Sequence, residues 1–291
     1  MAVYKHNYSA YTGSITPPWK RVAAIARYAF LEAWSSKITI GLFVLSLLPF
    51  VLFLIGIYLA NNPLARALIN SQGPQTIAID ARYFAKVLSS QCWLGFVLAS
   101  WIAPRLITFD LADNALPILL SHPVSRLGYV SGKFIALFGS LSVVTWVPCL
   151  LLFVYQGYSS PQPWAAANLR IAFGLFAGAV IWIAFISILC LALSSWVKWR
   201  VVATGIIFAA MFVPAGVGGI FSAVLRTRWG LLLNIPVMMS NIWQRLLGAP
   251  APFNDRLSLP TGAIAVMLGL ACFLFIAMLN ARIRAREVVR G

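Results

Sequence analysis

A reaction centre in this 291-residue chain would have to draw on two histidines, six carboxylates and four cysteines. The histidines, His6 and His122, both fall outside the apolar runs, so facing axial ligands for a membrane haem are absent. A zinc-protease helix needs His-Glu-x-x-His, and the sequence contains none. The acids stand near or beyond the ends of the apolar runs. That leaves no carboxylate pair for intramembrane hydrolysis and no mid-membrane ionisable group of the kind used by proton-coupled carriers. Cys92, Cys149, Cys190 and Cys272 each lie within an apolar run and not at metal-ligand spacing. The segment Gly128-Tyr129-Val130-Ser131-Gly132-Lys133-Phe134 approaches a phosphate-binding loop. It is one residue short between its glycines, and Phe134 stands where Ser or Thr must reach Mg²⁺. The expectation is a chain that is not an enzyme and has no catalytic residue, metal site or cofactor of its own.

One polar stretch survives this inventory, the connection from Asp110 to Lys133. Asp110 has N-cap chemistry for a short helix, with Asp113 in the capping-box position and Asn114 following. Leu116, Ile118, Leu119 and Leu120 supply an apolar ridge, and Ser121-His122-Pro123 ends it. Ser125 can then open the next helix, which carries Arg126, Tyr129 and Lys133. A ridge of this kind facing water calls for a partner surface or for burial beneath the chain's own helices.

The elements around this loop belong to a membrane. Hydrophobic residues make up 61% of the chain and charged residues 10%, against ~25% charged in an ordinary soluble domain. A net charge of +16 in a soluble protein would point to nucleic acid, but here Lys and Arg sit between the apolar runs, where they orient spans and meet anionic headgroups. No nucleic-acid partner is expected. The first 18 residues form a polar N-terminus without an apolar signal core. Six apolar runs long enough to span follow within 38–280, at about 38–60, 88–107, 130–155, 171–195, 201–222 and 260–280. The fold class is therefore all-α and integral to the membrane. Counting by side puts 14 Lys and Arg on the face that holds both termini and 8 on the other, which favours N-in and C-in. The loop 108–129 is then cytoplasmic, as is the basic tail 281–291.

Three further segments stand out. Residues 19–37 read as an amphipathic interfacial helix after Pro17-Pro18, with Trp19, Phe30 and Trp34 on the apolar side and Arg27 and Glu32 on the polar side. Within the outer connection 223–259, Leu231–Gly248 is apolar but broken by Asn234, Pro236, Asn241, Gln244 and Arg245, which suits an interfacial or re-entrant helix, buried against protein if it dips in. Pro49, Pro148 and Pro214 interrupt spans. Pro214 with Gly216, Gly218 and Gly219 is the expected kink, broken helix or gate in the fifth. Gly174-x-x-x-Gly178 in the fourth span allows close helix approach, either within the chain or in a dimer.

The pattern Asp-x-x-x-Asn-Ala-Leu-Pro-x-x-Leu-Ser-x-Pro-x-Ser-Arg-x-x-Tyr-Val-x-Gly-Lys, here Asp110 to Lys133, resembles the loop of permease subunits of ABC type-2 transporters. The layout resembles theirs too: an elbow helix, six spans and both ends inside. The resemblance implies an ABC exporter subunit coupled through this loop to two cytoplasmic P-loop ATPase subunits that carry ATP and Mg, and paired with a second permease copy or a paralogue. It also implies that Asp110, Asp113 and Asn114 orient a coupling helix and that Leu116, Leu119 and Leu120 fill a groove on the ATPase. Arg126 would pair with an acid there or with Asp110 or Asp113, while Tyr129 and Lys133 would anchor the return. His122 stands where many relatives have a second arginine. A bacterial inner membrane is the expected location. The rival expectation is a membrane anchor or assembly subunit with no conduit.

Overall fold

A computed structural model describes residues 17–64, 78–112, 125–160, 163–249 and 258–282, and these are helical without a strand. In chain order the helices are α1 (Pro18–Trp34), α2 (Lys37–Ser46), α3 (Leu48–Asn61), α4 (Ala81–Ala112), α5 (Arg126–Val144), α6 (Trp146–Ser159), the single turn α7 (Trp164–Ala167), α8 (Leu169–Ser194), α9 (Arg200–Val224), α10 (Ile235–Leu247) and α11 (Thr261–Arg282). A 3₁₀ turn, Trp229–Leu233, precedes α10. Among the described residues, six stretches are long and apolar enough to cross a membrane: Lys37–Asn61, Ala81–Thr108, Arg126–Ser159, Leu169–Ser194, Arg200–Val224 and Thr261–Arg282.

The second stretch begins earlier than its apolar run. Asp80 accepts a hydrogen bond from the Tyr83 amide (3.0 Å) and caps α4, so Arg82 and Lys86 ride on the same helix as the span rather than on a separate short one. α4 and α8 form the centre, with 67% of their most apolar stretch buried, whereas α2–α3 has 11% and α11 has 17%. A helix apolar on every side can be covered by protein or by lipid, and the six divide along that line. Contacts between polar side chains define the two ends of the bundle. Lys133 meets Asp110 and Arg282 meets the Ser195 carbonyl at one end; Asn61 meets Gln156 and Arg170 meets the end of α10 at the other.

The first and third spans are each broken, at Leu47 between α2 and α3 and at Thr145 between α5 and α6. Each break lies two or three residues before a proline, Pro49 or Pro148, where a ring replaces an N–H and crowds the preceding turn. Pro148 leaves the Val144 carbonyl without its i+4 donor. Gln91, fully buried in α4, serves both breaks. With its amide oriented so that donors face acceptors, its nitrogen lies 3.0 Å from the Ser46 carbonyl and 3.1 Å from the Val144 carbonyl, and its oxygen lies 3.3 Å from the Phe50 amide. One side chain thus replaces the missing Ser46–Phe50 helix bond and satisfies the carbonyl freed in the third span.

The fifth span is one continuous helix through Pro214. Of its glycines, Gly218 is in close contact: a Cβ there would collide with the Gly230 carbonyl, whereas Gly216 and Gly219 face open space. The segment after α9 then folds back into the bundle. α10 starts at Asn234, whose side chain accepts from the Val237 amide (3.1 Å), and ends at Gly248 with φ +72°. It runs antiparallel to α8. A Cβ at Gly174 would stand 2.9 Å from the Leu246 backbone, and Trp243 Nε1 donates to the Gly178 carbonyl at 3.1 Å. Gly178 lies nine residues inside α8, so Trp243 reaches about 13 Å down the span at ~1.5 Å per residue. The GxxxG pair therefore receives a helix of the same chain. Arg170 closes the contact by donating to the Arg245 carbonyl (2.9 Å) in the last turn of α10, which also accepts from the Gly248 amide.

Candidate functional site

The site is built at the end of the bundle where α4 and α5 approach each other on either side of 113–124. Asp113, Asn114, Leu116, Leu119, Leu120, Ser121, His122 and Pro123 lie outside the described residues, whereas both stems of the loop are described. Asp110 does not begin a new helix. α4 continues to Ala112, so Asp110 sits in its last turn, and its carboxylate serves an ion pair instead of an N-cap. A carboxylate at the negative end of a helix is unfavourable by itself. Lys133, reaching across from α5, reverses that: its Nζ is 2.9 Å from Asp110 Oδ2, with the two side chains 8% and 20% exposed. Tyr129 Oη donates to the same oxygen at 2.5 Å, and the Lys133 ammonium lies 5.7 Å from the Tyr129 ring centre.

Arg126, expected as a possible partner of Asp110, is exposed on the first turn of α5, one helical turn before the Tyr129–Lys133 face. The Ser125 hydroxyl caps α5 by accepting from the Gly128 amide at 3.0 Å. Asp110 is thus held by residues three and seven positions beyond Arg126, which lie on the same face of the helix as each other.

α1 backs this arrangement. Ala26, Ala29 and Ala33 on α1 are buried, as are Gly128, Gly132, Ala136 and Ser140 on α5. A Cβ at Gly132 would stand 2.6 Å from Ile25 Cγ2, and Trp34 Nε1 donates to Ser140 Oγ at 3.1 Å. The two helices therefore run side by side in the same direction, backbone close to backbone. This gives Gly132 a packing reason within the stretch that resembled a phosphate loop. Phe30 and Trp34 are half-buried against the core, Arg27 and Trp19 are exposed, and Glu32 is half-buried. The pairing of α1 with α5 was not legible from the helical wheel of 19–37. Its signal was the four-residue repeat of small side chains on α5.

Among the described residues no group of three or more His, Cys, Asp or Glu side chains could hold a metal ion, and the four cysteines are free. Helices of this length and apolarity, with charged groups gathered at the ends of the bundle, define a multi-pass helical membrane protein. No protein-family model matches the chain, and no curated protein sequence matches it.

Proposed function

We propose that this chain is the membrane subunit of an ATP-driven transporter of the ABC type-2 class, working as an exporter with separate cytoplasmic ATPase subunits. The observation that carries this reading is the Asp110–Tyr129–Lys133 contact. It ties both stems of the 113–124 connection together at the point where α4 and α5 leave the bundle. α4 and α5 also pack against α8, so a force applied to the connection is delivered to the central spans rather than dissipated in a loose loop. In this reading the Asp110 end faces the cytoplasm, in keeping with the excess of Lys and Arg on that side. α1 is the elbow, braced on α5. Pro214 and the Gly218–Gly230 contact belong to the outer gate, together with α10. ATP and Mg are bound by the partner.

The test is purification of the tagged chain from its native membranes in mild detergent, beside an Arg126→Ala variant. Arg126 is exposed, so its loss leaves the fold intact. A co-purifying P-loop ATPase whose recovery or hydrolysis falls with Arg126→Ala supports the reading. Absence of any ATPase, under conditions that preserve other membrane complexes, overturns it in favour of an anchor or assembly subunit.

A further inference from the structure

Close to the Asp110 end, the second and fifth spans bring together a set of donors that no acceptor satisfies. Trp101 and Arg105 lie one turn apart on the same face of α4. Arg200, in the first turn of α9, lays its guanidinium on the Trp101 ring with its carbon 4.0 Å from the ring centre. Arg105, one turn further along the face that carries Trp101, stands beside this stack. The neighbourhood is otherwise held by neutral contacts. Arg105 Nη2 donates to Ser35 Oγ at 3.1 Å, and Thr204 Oγ1 donates to the Ser100 carbonyl at 3.1 Å.

Four N–H groups remain: Trp101 Nε1, Arg105 Nε, and Arg200 Nε and Nη2, all buried and without a hydrogen-bond partner. Neither arginine forms an ion pair with a carboxylate among the described residues. Two neighbouring cations with unmet donors at the edge of an apolar bundle are costly in the absence of an anion. Both side chains are only half-buried, so each guanidinium keeps an open edge. A guanidinium fork matches the oxygens of a phosphate in geometry as well as charge, and the indole beneath Arg200 fixes the plane of one fork.

We propose that Arg105, Arg200 and Trp101 form a binding site for a phosphate-bearing anion, with Ser35 steering Arg105. The site is separate from the Asp110–Lys133 pair and does not depend on what the chain transports. Its ligand is the phosphodiester of an anionic phospholipid or a soluble phosphate group, and the two sources are separable.

The full-length chain, purified in mild detergent, is mixed with equal amounts of phosphatidylglycerol and phosphatidylcholine, and retained lipids are counted by native mass spectrometry. In parallel, its melting temperature is followed against inorganic phosphate at constant ionic strength. The proteins are the wild type, Arg105→Gln/Arg200→Gln, Arg105→Lys/Arg200→Lys and Arg200→Gln alone. With two cations engaged, the wild type retains phosphatidylglycerol over phosphatidylcholine roughly tenfold or more. The double-lysine form keeps most of this preference and the double-glutamine form loses it. Stabilisation by inorganic phosphate without any lipid preference, lost in the glutamine form, also supports the site and assigns it to a soluble anion. A wild type indifferent to both anions overturns the proposal, as does an undiminished preference in the glutamine form. If the double-glutamine protein does not fold, the single Arg200→Gln variant decides in the same way.

Discussion

The ammonium of Lys133 and the hydroxyl of Tyr129 converge on one oxygen of Asp110, at 2.9 Å and 2.5 Å, from successive turns of α5. The loop between these residues is thereby closed at its base by a charge pair set in apolar surroundings. Such a pair is strongly destabilising when one partner is removed, and much less so when both are replaced together. Asp110→Asn should destabilise the protein toward the low end of about 3–5 kcal/mol, since Asp110 retains some exposure. Asp110→Asn/Lys133→Met should recover most of the loss, and Tyr129→Phe alone should cost about 1.5–3 kcal/mol. Thermal unfolding in detergent checks all three. Additive losses in the double variant would contradict the pairing.

Gln91 makes a sharper prediction, because it repairs two helices at once. Gln91→Leu keeps the volume but strips the Ser46 and Val144 carbonyls and the Phe50 amide of their partner. Each buried group left unsatisfied costs about 1–3 kcal/mol, so the variant should lose well over 1 kcal/mol although it is the more apolar of the two. Gln91→Glu should fare no better, since a carboxylate cannot donate to the two carbonyls unless protonated. A stability equal to wild type for Gln91→Leu would show that the breaks do not need it.

Glycines in the bundle divide by what a methyl group would meet. Gly174→Ala drives a Cβ into the Leu246–Leu247 backbone, and Gly218→Ala meets the Gly230 carbonyl. Both should destabilise by about 1–3 kcal/mol or displace the segment 229–247. Gly205→Ala and Gly216→Ala enter open space within α9 and should be neutral or stabilising by up to about 1 kcal/mol. Melting temperatures of the four variants, measured side by side, test whether α10 is seated where the contacts place it.

The proposed orientation is open to direct labelling. Cysteine introduced for exposed Arg126 or Lys198 should react with an impermeant maleimide only after the membrane is opened, whereas one placed at Arg226 or Arg228 should react in intact cells. The native cysteines lie within the spans and are buried or half-buried, so background labelling should be low. The reverse pattern would invert the topology and remove the 113–124 connection from the cytoplasm.

Some of this architecture was legible in the chain alone. Six apolar stretches were found within a few residues of their helices, except that α4 begins at Ala81 rather than near 88. Spanning depends on a local quantity, about 20 consecutive apolar residues, and needs no knowledge of neighbours. Prolines were legible only in part: the spans break before Pro49 and Pro148 as expected, but α9 runs unbroken through Pro214, so a missing N–H alone does not decide where a span breaks. A helix between the fifth and sixth spans was also expected, but Asn234 was read as one of the residues that break it, whereas in the structure it caps the helix that Gly248 ends.

Partners were not legible in this way. Reading 110–133 as one unit placed a cap at Asp110, whereas α4 runs through it and Lys133, 23 residues later, takes the carboxylate. Gly174-x-x-x-Gly178 fits a dimer seam or an internal seat equally well, until Trp243 is found hydrogen-bonded to the Gly178 carbonyl. Gln91 is a polar residue within the apolar run 88–107, and its reason lies on two other helices. The chain by itself determined which segments are helices in a membrane, because each segment must satisfy its own backbone in hydrocarbon. Tertiary structure alone decided which polar group answers which, because that depends on how helices distant in sequence turn toward one another, and a local pattern does not specify that rotation.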